Sequence, residues 1–110
     1  MFIGYNGFCR GVEETEERWQ RPSKYTHVIH AEMNAICNAA RSGVSIENSI
    51  CVLTLYPCTT CCKSLIQAGI KTIVTAPPNF YDPTWGTDFV KTRELCLETG
   101  VNIMTIDVTA

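Results

Sequence analysis

His30, Cys58 and Cys61 are the residues of this sequence whose types and spacing suit a transition metal, and Glu32 stands two positions beyond the first of them. One imidazole and two thiolates are good zinc ligands. Three protein ligands leave the fourth tetrahedral position open, whereas a structural zinc is closed by four. An open position lets the metal turn water into a nucleophile near neutral pH. A free carboxylate such as Glu32 can then move protons beside it. The segments His30-Ala31-Glu32 and Pro57-Cys58-Thr59-Thr60-Cys61 therefore read as the parts of a Zn2+ hydrolase. The competing reading is a structural zinc knuckle completed by Cys62, Cys9 or His27, or a set of buried thiols in a reducing cell. Each half recurs by accident more often than the ordered pair, which favours the hydrolase.

Both halves must be presented by helices. From His30 the apolar residues Met33, Ile36, Cys37 and Ala40 recur at steps of three and four, and Gly43 is a natural stop, so a helix is expected over 30–42 with His30 in its first turn. Pro57 precedes a stretch with Leu65, Ile66 and Ala68 that ends at Gly69, which predicts a helix over 58–68. Cys58 and Cys61 then lie one turn apart at its start, where the helix N-terminus favours thiolate. A third helix is expected over 87–99, before Gly100. Each helix is followed by an apolar strand, at about 50–56, 72–75 and 101–106. Residues 1–5 read as a strand fragment and 6–28 as a long connection, with Glu13, Glu14, Glu16 and Glu17 on a solvated face or short helix. Asn34, Asn38 and Arg41 form a polar stripe expected to face water, with an oligomer contact as the alternative. Cys37, Cys51 and Cys96 fall on apolar faces, as core cysteines do.

Alternating helices and strands imply an α/β fold. At 110 residues the chain can bury roughly two-thirds of its unfolded surface, enough for one core. No linker divides it, so 1–110 is expected to be a single domain. Seven cysteines without a signal peptide argue for a reducing cytoplasm rather than a disulfide framework. No run is long and apolar enough to span a membrane. A formal charge of −2, with no basic stripe, argues against a polynucleotide and for a small nucleotide.

The order His-x-Glu followed by Pro-Cys-x-x-Cys is the signature of zinc nucleobase deaminases. Beyond it, Gly4-Tyr5-Asn6-Gly7-Phe8-Cys9-Arg10-Gly11, Lys24-Tyr25, His30-Ala31-Glu32-Met33-Asn34-Ala35-Ile36 and Tyr56-Pro57-Cys58-Thr59-Thr60-Cys61 closely resemble the deoxycytidylate deaminases of the cytidine deaminase superfamily. The similarity covers nearly the whole chain. It implies a three-layer α/β/α fold with a mixed sheet, here without the usual N-terminal helix and first strand, because Met1 stands three residues before Gly4. It also implies hydrolysis of dCMP to dUMP and ammonia as a thymidylate precursor step, with zinc on His30, Cys58 and Cys61 and Glu32 as proton shuttle. Asn6 is the candidate for the sugar hydroxyl, Arg10 and Lys24 for the phosphate, and Tyr81 for stacking on the base. Gly4, Tyr5, Asn6 and Gly7 are alternatively associated in the family with an allosteric site for dCTP and dTTP, or form a tight turn. Family members are commonly hexamers, so a homo-oligomer is expected. Another deaminase of the superfamily, or a zinc- and nucleotide-binding module without turnover, are the competing readings.

Overall fold

Thr72, Ile73, Val74 and Thr75 form an unbroken β-branched run, and in the computed structural model of this chain, which describes residues 1–107, they are the middle strand of a parallel sheet. The elements run β1 (Gly7–Phe8), α1 (Glu16–Trp19), α2 (Ser23–His27), β2 (Val28–Ile29), α3 (Ala31–Ser42), β3 (Ile50–Leu53), α4 (Thr59–Gln67), β4 (Thr72–Thr75), α5 (Gly86–Thr99) and β5 (Asn102–Thr105). The fold is α/β, with helices and both parallel and antiparallel strand pairs. The chain falls into two units, Met1–Val44 and Ser45–Ala110.

In the first unit β1 and β2 pair antiparallel, Gly7 against Ile29 and Phe8 against Val28. Phe8 also packs its ring on Trp19 and His27, at centroid distances of 5.0 and 5.9 Å. The expected strand at 1–5 is not formed. Asn34 and Asn38, one turn apart on α3, donate from Nδ2 to the carbonyls of Tyr5 at 2.6 Å and Ile3 at 3.2 Å. These side chains engage carbonyl groups that a strand would offer to a neighbour, so the segment lies along a helix instead. Two residues of the polar stripe thus bind the chain's own backbone, while the third, Arg41, is exposed as expected and donates to Asn38 Oδ1 at 3.4 Å. Gly4 permits this approach: a Cβ there would collide with the Ala31 carbonyl oxygen and lie 2.7 Å from Ala35 N. Within the expected connection, Thr15 caps α1 by accepting from Arg18 N at 3.3 Å, and all four of its neighbouring glutamates are exposed.

In the second unit β3, β4 and β5 are all parallel, Ile50 pairing with Thr72 and Thr72 with Asn102. Parallel neighbours need helical crossovers, and α4 and α5 supply them. The two helices pack together. Ile73, Thr75, Leu65, Cys62, Cys96 and Thr92 form the buried centre. The register puts Val52, Val74 and Met104 on the opposite sheet face. There Val52 is 72 % exposed and Met104 47 %, so these strands are not buried on both faces as their composition suggested. Of the three cysteines assigned to the core, only Cys96 is buried. Cys51 is half-buried and Cys37 exposed, although position 37 shares a helix face with the half-buried Met33 one turn before it. No helix among the described residues is long and apolar enough to cross a membrane.

Candidate metal centre

His30 is the N-cap of α3, with extended backbone at φ −65° and ψ 148°, one residue before the position expected for it. Glu32 follows in the first helical turn and is half-buried. Gly43 ends the helix in the left-handed conformation at φ 70°, as its place in the sequence required. Asn6 reaches this helix start: its Oδ1 accepts from Ala31 N at 2.8 Å, meeting one of the amide donors that every helix start leaves open.

Cys58 is likewise an N-cap, that of α4, and Cys61 lies at the third helical position. Cys58 Sγ accepts from Cys61 N at 3.4 Å, so the sulfur is turned toward the helix start, where amide dipoles favour thiolate. The main chain around Cys58 is fixed on three sides. Thr92 Oγ1 donates to the Pro57 carbonyl at 2.9 Å, and Cys62 N donates to the Cys58 carbonyl at 2.8 Å. Asp88 takes two bonds from Thr59, Oδ2 from the backbone N–H at 2.9 Å and Oδ1 from the hydroxyl at 2.8 Å. Sequence reading missed Asp88 and Thr92. They lie about thirty residues from their partners, and only their i, i+4 spacing hinted at a shared face.

Cys62 is not needed as a ligand. It is fully buried beside Cys96, sulfur to sulfur 3.7 Å. The hydrogen bond to Cys96 and burial push its thiol well above the ordinary range, so it remains a neutral core group near neutral pH. His30, Cys58 and Cys61 are the group of described residues that could hold a metal ion. Its donor set, one imidazole and two thiols, fits zinc with a position left open.

The model of the cytidine and deoxycytidylate deaminase zinc-binding region matches residues 1–77, which contain all three ligands and Glu32. The chain belongs to this family. Zn2+ is accordingly the metal of the His30, Cys58, Cys61 set. A deoxycytidylate deaminase of Pongo abelii is 35 % identical over 86 residues, covering 73 % of this chain and 47 % of its own length. The chain thus spans about half the length of the curated relatives it matches. The dCMP deaminase of cyanophage S-TIM5 in its apo form superimposes with a TM-score of 0.68 at 26 % identity, over 96 % of this chain and 71 % of that one. The same cyanophage enzyme in complex with dCMP and dUMP gives 0.62 at 30 % identity, over 94 % and 70 %.

The remaining candidates are spread over several elements. Arg10 is exposed in the turn after β1, and Lys24 is half-buried on α2. Tyr81 lies in the loop between β4 and α5 and is 95 % exposed. Tyr5 is exposed beside Asn6, while Gly4 and Gly7 are half-buried.

Proposed function

We propose that the chain is a zinc-dependent hydrolase that converts dCMP and water to dUMP and ammonia, with residues 1–110 acting as one catalytic domain. The observation that carries this reading is the family's donor set of one histidine and two cysteines accompanied by a carboxylate, Glu32, that the metal does not need. The dCMP and dUMP held by the cyanophage relative support a pyrimidine monophosphate as substrate.

Zinc, when bound, supplies the Lewis acidity that makes a water molecule nucleophilic near neutral pH. Glu32 takes up the first proton released and delivers it to ring N3, then carries the remaining proton of the new C4 hydroxyl to the departing amine, so that C4 exchanges nitrogen for oxygen and ammonia leaves. Asn6 spends its carbonyl oxygen on Ala31 N, and its Nδ2 donors serve a sugar hydroxyl. Arg10 grips the phosphate with its planar fork and Lys24 adds a second positive charge. Tyr81, projecting from its loop, closes over the base. The segment Gly4, Tyr5, Asn6, Gly7 alternatively serves a regulatory nucleotide, dCTP or dTTP. The working form is a homo-oligomer, with a hexamer as the expected size. The compartment is a reducing cytoplasm, which a zinc site built on thiolates requires, and neither a polynucleotide nor a membrane is a partner.

Ammonia release by the zinc-loaded protein, with dCMP, CMP, cytidine and dCTP in parallel, tests the reading. Selective turnover of dCMP is expected. Glu32→Ala should abolish it, by about 100-fold or more for a general acid–base group, while zinc stays bound. Turnover that survives in this variant would remove Glu32 from the mechanism, and preference for another substrate would move the chain to a different branch of the family.

A further inference from the structure

Asp88 and Thr92 sit one turn apart on α5 and reach across to the same short stretch of α4's start. Thr92, with 0 % exposure, binds the carbonyl before Cys58. Asp88 uses both carboxylate oxygens on the residue after it. We propose that Asp88 and Thr92 are positioning residues for zinc: together they hold the main chain on both sides of Cys58 and so fix where its sulfur is presented.

The need for such a clamp follows from the motif. A helix leaves its first N–H groups open, and the N-cap side chain reaches that of the second or third helical residue but not the first. Here the N-cap is Cys58, whose sulfur is committed to Cys61 N and to the metal, and sulfur is a weak acceptor. The first amide, that of Thr59, is met instead by the Asp88 carboxylate from another helix, and both of its oxygens are used, which fixes its own rotamer as well. Pro57 cannot donate at all, and its carbonyl is the group that Thr92 secures. The main chain at Cys58 therefore cannot shift without breaking a bond on one flank or the other. A ligand ordered in advance spares the metal the cost of ordering it. Groups hydrogen-bonded directly to metal ligands typically govern metal affinity by about 10- to 100-fold, and because Asp88 and Thr92 act on the residues flanking a ligand, the lower end of that range sets the scale expected of them.

This inference rests on the zinc site and not on dCMP as substrate, so its test needs no turnover. Zinc affinity of the full chain is measured by competition with a chromophoric chelator, and the cobalt-substituted protein reports the thiolate–metal geometry through its charge-transfer band. Asp88→Ala and Thr92→Val should each weaken zinc binding by about 10-fold or more and alter the cobalt band. Thr92→Ser should bind as the parent does, because its hydroxyl can still donate to Pro57. Asp88→Asn, which keeps one acceptor oxygen, should fall between the parent and Asp88→Ala. Should Thr92→Val fail to fold, the two Asp88 variants decide. Variants that fold, lose thermal stability and yet bind zinc and cobalt as the parent does would overturn the proposal and leave the contacts as helix packing. Inactivity toward dCMP with these zinc effects intact would count only against the substrate assignment.

Discussion

Gly4 has room for a hydrogen and nothing larger, because the backbone of α3 lies directly against it. Gly4→Ala must therefore displace the N-terminal segment from the Asn34 and Asn38 side chains. Overpacking of this kind typically costs about 1–3 kcal/mol. A lower denaturation midpoint at unchanged m-value would show it, and an unchanged midpoint would mean that the segment is held less closely than the structure describes. The tetrapeptide from Gly4 to Gly7 thus has a local structural duty besides any nucleotide it meets. Asn6 illustrates the same point: its polar amide was legible as a ligand for sugar, but its bond to Ala31 N shows that part of the group already supports the helix carrying His30 and Glu32. Cys62 shows the reverse. Its neighbour Cys61 is a ligand, yet Cys62 faces Cys96 in the core, a distinction of side-chain direction that a run of two cysteines does not reveal.

Among the elements, the helices carrying the metal ligands were readable from local signals: an apolar period of three and four ending at Gly43 for α3, and an apolar stretch bounded by Pro57 and Gly69 for α4. The observed α3, α4 and α5 differ from the expected ranges by one residue at most ends. The strand expected at 1–5 failed because its competitor was a pair of asparagines more than twenty-five residues away. β3 ends at Leu53 instead of continuing to residue 56, since Tyr56 turns into the aromatic cluster with Phe80 and Phe89, at 6.1 and 5.4 Å. That packing makes a prediction. Burial raises the Tyr56 phenol above its ordinary 10.0, helped by the nearby Cys96 and Cys62 and opposed by Arg93. Folding then favours the protonated form, so its contribution is fully present below pH 10 and is lost as pH rises through the folded-state value. Thermal unfolding followed from pH 8 upward should show the parent losing stability above about pH 10 more steeply than Tyr56→Phe. Parallel curves for the two proteins would remove Tyr56 as the source.

For the whole molecule, zinc is expected to act as a stabilising ligand as well as a reagent. A metal that binds the folded chain alone, at a thousandfold excess over its dissociation constant, adds about 4 kcal/mol. Removal by a chelator should lower the melting temperature, and zinc, but not magnesium, should restore it, since the thiolate and imidazole donors are too soft for magnesium. A melting temperature indifferent to chelation would contradict metal-linked folding. The amino-acid sequence by itself determined the chemistry: the ligand types, the spare carboxylate, the helices that carry them and the α/β class are all encoded in local spacing and periodicity. Tertiary structure alone decided which polar side chains secure that chemistry. Asn34, Asn38, Asp88 and Thr92 each bind backbone atoms far away in the chain, and such pairings are set by which surfaces meet after folding, a quantity that no short-range pattern records.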